Sequence, residues 1–390
     1  MNLGEFVMVW HKFKLVLILF LFSYGCSTIR DGVEIESIDT DIEKKLINPK
    51  ENSNVNIEKF EIKKITPKKV ISKRKQKQNA EKTKKVEKKV KVEKKTKPKK
   101  VAKKEVKETP KPEAAKKEEP AKIENKPLTE EEKRIKKLRE QYEGYDKISE
   151  KVWEKFFPKF FVGESHRFEV KYLGIKAGYI HINTDSLVEV AGKPSVHFKV
   201  NLKSASYYSM VYELNDTLES IVDLESFRPV KYKLVQRESS QDVDDLQLFD
   251  HDKRKTYFWY RRFKKGKEKK DYKENIIPTY LQDSFSSLMF VRGLPLKLGD
   301  KYQFPVATRA KLWIIKLEVV DENDSIVYKK KDVPAIRVKA ETHFPGVLKK
   351  RGDIVFWYSK DDTRKLLKFQ AKIKIGSIEG QLFDYMEGKK

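Results

Sequence analysis

The sequence predicts a mostly β protein: a curled antiparallel sheet, either an open barrel or a sandwich, with one internal helix. Two short helices and a long disordered lysine-rich segment are expected ahead of it. Three observations lead there. Beyond Gly163 the apolar residues recur with period two, turn-forming clusters separate the runs, and a single stretch near residue 285 switches to a helical period. Residues 158–390 are 233 positions long and carry 44 basic against 32 acidic side chains, which is ordinary for a domain with a sizeable core.

The chain opens with His11, Lys12 and Lys14 ahead of LVLILFLF, residues 15–22, and then SYGCS. A basic start, a short apolar run and small residues before a cut mark residues 1–25 as a secretory signal peptide, with either Met1 or Met8 as the start. The run is far shorter than the ~20 residues of a spanning helix. Ser23 and Gly25 stand at −3 and −1 relative to Cys26, the one cysteine of the chain, so no intramolecular disulfide is possible. Residues 22–26 resemble the lipobox of bacterial lipoproteins, in which such a cysteine is acylated and becomes the first residue. Ser23 and the bulky Tyr24 depart from that pattern. The resemblance implies membrane attachment through acylated Cys26, and Ser27 in place of aspartate implies the outer membrane. The other reading is a soluble periplasmic protein with a free thiol.

Residues 26–128 are expected to form a disordered Lys/Glu/Pro-rich tether, because they have few aromatics and no apolar period. The formal charge of +27 is concentrated here: residues 61–126 hold 27 Lys+Arg against 10 Asp+Glu. The run KKVEKKVKVEKKTKPKKVAKK, residues 84–104, looks like a nucleic-acid arm by charge alone. Yet 26 of those 27 cations are lysine, without arginine's planar fork, and no aromatic is interleaved for stacking. With a signal peptide in front, no nucleic-acid partner is expected. A self-repelling spacer of about 100 residues would reach ~50–60 Å as a coil. Adhesion to anionic lipid or cell-wall polymer is compatible with that.

Residues 129–158 form the helical segment. Thr129 and Glu132 make a capping box, the first helix runs to about Tyr142, Gly144 breaks it, and a second spans about Asp146–Phe157 before Pro158. Residues 159–390 form the β-rich domain. Phe168, Val170 and Tyr172 alternate with charged neighbours, and the same period recurs at Val196–Leu202, Trp313–Val319 and Leu367–Ile375. In Leu281–Arg292, Phe285, Leu288 and Met289 share a helical face, and Asp283 can cap it. That helix is placed to plug or cover the sheet.

Little in the sequence carries chemistry. No two of the mature histidines, His166, His181, His197, His251 and His343, lie at zinc-ligand spacing, so no metal or cofactor is expected. His181 and His197 fall at outward strand phases and are expected at the surface. Asp242, Asp244, Asp245, Asp250 and Asp252 lack the glycine and terminal glutamate of a calcium loop and are expected on a solvated hairpin. Lys368, Lys372 and Lys374 form a stripe that can meet an anionic surface, with a solvated outer face as the alternative.

Several segments together resemble a bacterial envelope family, domain of unknown function 3108, over about residues 162–384. They are Val162-Gly163-Glu164, Phe168-Glu169-Val170, Gly174–Gly178, Phe249-Asp250, Gln282–Leu288 with Val291-Arg292-Gly293-Leu294-Pro295-Leu296, Gly299, Trp357–Asp362 and Lys372–Ser377. Leu366, beyond Arg364 and Lys365, stands where the family usually has proline. The resemblance implies an exported β-rich domain and supplies no catalytic residue. Two functional readings, with a third beside them, follow. One is a non-enzymatic envelope lipoprotein whose β domain binds an apolar, glycan or protein ligand. Another is a periplasmic hydrolase using carboxylates, with Asp250, Asp252 and Asp283 as candidates. The third is a purely structural envelope scaffold.

Overall fold

The structure, a computed structural model, describes residues 42–43, 46–47, 55–65, 129–210, 212–343, 350–372 and 376–389. Cys26, the expected signal peptide, the lysine-rich run and Lys374 lie outside the described residues. By its contacts the chain divides into two units, residues 1–65 with 136–390, and residues 66–135. Of the second unit, residues 129–135 are described. There the Glu132 amide donates to Thr129 Oγ1 at 3.2 Å and the Thr129 amide donates to the Glu132 carboxylate at 2.8 Å, the reciprocal capping box read from the sequence.

That box starts α1, Glu130–Lys155. Two helices broken at Gly144 are expected; the chain forms one. A glycine inside a helix costs only about 1 kcal/mol, and burial of Tyr142 before it and of Ser149 and Val152 after it outweighs that.

The first unit contains the sheet. Lys63–Lys64 forms β1, and then come β2 (Ser165–Tyr172), β3 (Ile175–Val190) and β4 (Lys193–Ser204). A single turn, α2 (Ser206–Ser209), precedes β5 (Asn215–Asp223), β6 (Pro229–Glu238), β7 (Gln241–Asp250), β8 (Lys255–Lys264) and β9 (Lys267–Ile276). The internal helix α3 is Ser286–Arg292. The last strands are β10 (Lys301–Thr308), β11 (Lys311–Tyr328), β12 (Lys331–His343), β13 (Lys350–Ser359), β14 (Leu366–Lys372) and β15 (Ser377–Met386).

All fifteen strands belong to one sheet, which decides between barrel and sandwich. The order runs β10 to β15, then β2 to β9, and each of these neighbours is antiparallel. The last strand, β15, pairs with β2, as in an up-and-down barrel, but consecutive β9 and β10 do not pair, so the sheet stays open there. The segment that would have closed it carries α3 instead. Gln282 bridges Val306 of β10, and the β10–β11 turn reaches back across the gap, with Asn275 Nδ2 donating to the Ala310 carbonyl at 3.2 Å.

The helix fills the concave side. All seven residues of α3 are buried, polar ones included. Phe285 meets Phe198 of β4, Phe290 meets Phe304 of β10, and Tyr358 of β13 donates to the Leu288 carbonyl. The C-terminal end of α1 docks here too, with Trp153 4.3 Å and Phe156 4.4 Å from the Phe290 ring, centroid to centroid. Gly293 allows that approach, because a Cβ on it would lie 2.3 Å from the Phe156 ring and 2.4 Å from the Phe157 carbonyl.

The expected tether departs from its reading at its N-terminal end. Residues 55–65 pack on the opposite, convex face, where Phe60 is 2% exposed within a cluster containing Val188, Ile221, Leu246 and Trp259. Isolated Val55, Ile57 and Phe60 show no period, but each finds an apolar site on a sheet already built by other strands.

Candidate functional site

The family-like segments of the sequence meet around α3 and form a buried clasp. Glu164, just before β2, receives Arg292 bidentately, at 2.6 Å and 3.1 Å, with side chains 0% and 1% exposed. Thr184 Oγ1 donates to the same carboxylate at 3.2 Å and Tyr385 at 3.4 Å. Arg292 also donates to the carbonyls of Thr363 and Arg364, in the turn before β14. With Arg292 Nη1 also 3.9 Å from Met289 Sδ, every lone pair and proton of the pair is engaged, which such deep burial requires. The turn is built by Asp361: burial would raise its carboxyl, but hydrogen bonds from Thr363, Lys365 and Ser359 hold it down at about 2. Burial, with the charges of Arg292 and Lys365, keeps His166 beside the clasp neutral by pushing its pKa well down.

At the lead-in to α3, Asp283 caps the helix as expected, its Oδ1 accepting from the amides of Phe285 at 2.8 Å and Ser286 at 2.7 Å. Its Oδ2 accepts from Ser220 at 2.6 Å, and burial raises its pKa. Asp250 and Asp252 sit elsewhere, both on the Lys59 ammonium, at 3.2 Å and 3.0 Å. The hydrolase candidates therefore divide between a helix cap and an ion pair, and Asp283 shares no partner with Asp250 and Asp252.

Other sequence expectations change. His197 is buried, not superficial, with Glu219 at 3.4 Å and Asp185 at 4.0 Å. The acidic hairpin is solvated only in part: Asp242 and Asp252 are exposed, whereas Asp244, Asp245 and Asp250 are buried, Asp244 meeting Arg237 and Arg261 and Asp245 meeting Arg309 at 2.8 Å. Among the described residues no three acidic, histidine or cysteine side chains are grouped to hold a metal. In the lysine stripe, Lys368 pairs with Glu379 at 2.7 Å and lies over the Trp357 ring, and Lys372 is exposed.

A cleft unannounced by the sequence lies between α1 and strands β10–β12, with a volume of about 470 Å³. Ile148, Val152 and Leu317 form its apolar part. Five lysines line it, Lys151 and Lys155 from α1 and Lys301, Lys316 and Lys339 from the sheet, against two glutamates. Cross-strand register sets the pattern: Lys301 opposes Glu318, which opposes Lys339, and Gln303 opposes Lys316, which opposes Glu341. Both glutamates are engaged, Glu318 by Lys301 at 3.1 Å and Glu341 by Lys339 at 3.0 Å. Lys155 lies 5.8 Å over the Tyr302 ring, and Lys151 and Lys316 make no ion pair among the described residues. These cations were illegible among the 86 basic side chains, because they gather only when α1 docks on the sheet.

An open antiparallel barrel plugged by a helix defines a β-barrel-like domain. The chain belongs to the family described as protein of unknown function DUF3108, whose profile matches residues 167–382. No curated protein matches the sequence. Solved structures similar to the chain include a β-barrel-like protein of domain of unknown function DUF1849 from Brucella abortus. It has 10% identity and a TM-score of 0.37, covering 58% of this chain and 97% of that one. A second is an export candidate with a YmcC-like fold from Bacteroides fragilis, at 11% identity and TM-score 0.28, covering 60% and 99%. A third is a lipoprotein candidate from Parabacteroides distasonis, at 10% identity and TM-score 0.28, with the same coverage.

Proposed function

We propose that the chain is an exported cell-envelope protein, lipid-anchored at Cys26, whose domain binds an anionic ligand without catalysis. The ligand class is a phosphate- or carboxylate-bearing envelope saccharide, seated in the cleft between α1 and β10–β12. The observation that carries this reading is the cleft's charge: five lysines line it, Lys301 and Lys339 pair its two glutamates, and Lys151, Lys155 and Lys316 are left over beside an apolar floor. Concave sites with an apolar body and a few convergent polar groups are where small ligands bind. Lysine supplies strongly hydrated point charges suited to a mobile polyanion. The concave interior is a poorer candidate, since α3 and its aromatic neighbours occupy it.

Titration of the full mature chain with a phosphorylated disaccharide, followed by calorimetry, tests the site. One saturable site is expected, weakened at least about tenfold, or ~1.4 kcal/mol, in Lys151→Glu/Lys316→Glu. Equal binding by both proteins would move the affinity to the lysine-rich run and sink the cleft. For the anchor, acyl labelling of wild type against Cys26→Ala should differ, and equal labelling would refute it.

A further inference from the structure

The convex face of the sheet would be an exposed apolar strip on its own. Ser220 reaches the concave Asp283, so by strand alternation Ile221 points outward. Leu246, Leu248 and Trp259 continue that outward strip, and residues 42, 46–47 and 55–60 of the same chain supply the side chains that pack on it. Phe60, Val55 and Leu46 are buried against it. Backbone joins in: β1 pairs Lys63 with Glu189 and Lys64 with Val188, on the part of β3 that projects past the end of β2 at Asn183. The Ala191 amide donates to the Lys59 carbonyl at 2.8 Å.

Charge completes the contact. Lys59 is shared by Asp250 and Asp252. Lys231 and Lys233 of β6 are buried beneath the segment, and both reach Glu43, at 2.8 Å and 3.5 Å. Lys231 Nζ also donates to the Phe60 carbonyl at 3.3 Å. Two buried ammonium groups outside the barrel thus depend on a carboxylate from the N-terminal segment.

We infer that the described residues between 42 and 65, namely 42–43, 46–47 and 55–65, act as a clamp that fastens the N-terminal end of the chain to the convex face. The chain reaches the lysine-rich stretch only after the clamp ends at Ile65, so that stretch is not part of the connection between Cys26 and the clamp. The connection from Cys26 is then the sixteen residues 26–41, at most about 55 Å when extended, and the lysine-rich stretch bears none of it. This goes beyond ligand binding in the cleft and does not depend on it.

The test uses the full mature chain with a site-specific protease site inserted after Lys97. After the cut, the N-terminal fragment is expected to co-elute with the domain on size exclusion. In Lys59→Glu/Phe60→Ala it should dissociate at least about tenfold faster, the effect of ~1.4 kcal/mol. Immediate separation of the wild-type fragment overturns the clamp. Retention that persists unchanged in the double variant overturns it equally, because the hold would then lie elsewhere.

Discussion

The two segments that cover the sheet, α3 on its concave side and the clamp residues 42–43, 46–47 and 55–65 on its convex side, are held by different physics. The plug is enclosed on all sides, and its one ion pair is bidentate, fully hydrogen-bonded and shut off from water. The clamp has a single deeply buried aromatic, a two-residue strand, and ion pairs whose members are partly wet, such as Lys59 at 29% and Asp252 at 69% exposure. Wet pairs contribute little and are screened by salt. The plug therefore belongs to the global folding unit, whereas the clamp is expected to open by itself. Under the proposed function, a permanent interior and a detachable cover put the ligand site on the outside.

The comparison is broken most strongly at the clasp. Arg292→Met leaves Glu164 buried and unpaired and is expected to remove about 3–5 kcal/mol of stability, read from urea denaturation. Adding Glu164→Leu should recover most of that loss, because an apolar pair replaces the ion pair at similar volume. Gly293→Ala forces Phe156 and the Phe157 carbonyl away, and overpacking of this kind costs about 1–3 kcal/mol. Its denaturation midpoint should fall, with altered Trp153 fluorescence as α1 shifts on the Phe290 ring.

Phe60→Ala sharpens the contrast. Deleting a buried phenylalanine removes about 3–5 kcal/mol where the residue cannot leave its site, but here the segment can simply detach. The global midpoint should fall by less than that range, while amide protection at Ala191 is lost outright. Acid acts on the same place. The hydrogen bond from Lys59 holds the Asp252 carboxyl below its ordinary value, with Lys193 helping. The contribution of that pair is complete above the unfolded carboxylate pKa of ~3.9 and is lost as pH falls through the lowered folded value. Burial alone would lower Lys59, but its bonds to Asp252 and Asp250 raise it, so at the alkaline end the contribution survives until pH passes the raised value. Clamp protection should hence be flat at neutral pH and fall in acid. The smallest effect on stability is expected at the cleft: Lys151→Glu/Lys316→Glu should stay within about ±0.5 kcal/mol of wild type while binding is lost.

How far the sequence could be read follows from the range of the forces involved. Period-two runs such as Phe168–Tyr172 report local burial on one face, so strands and their sheet were legible. Asp283 and Phe285 likewise announced α3, whose cap is local. What escaped depends on distant partners. Gly144 reads as a breaker until Tyr142 and Val152 are seen buried on both sides of it. His197 reads as a surface residue because its phase is outward, and only Glu219 and Asp185 from neighbouring strands reveal its burial. The Glu164–Arg292 clasp spans 128 positions, and neither residue has a local feature that marks it. Both were nonetheless inside the segments carrying the family resemblance, which the structure explains as architecture.

Native-state hydrogen exchange followed by mass spectrometry, at neutral pH on the full mature chain, tests the central claim that the interior is closed and permanent. The account predicts that amides of residues 286–292 exchange only through global unfolding, with protection that tracks the denaturation free energy. Amides at Ala191 and Ile65 should exchange earlier, through release of the clamp. Exchange of 286–292 ahead of the surrounding strands would contradict it, since the helix would then be a lid over a cavity and the interior, not the outer cleft, would be the place to look for a ligand.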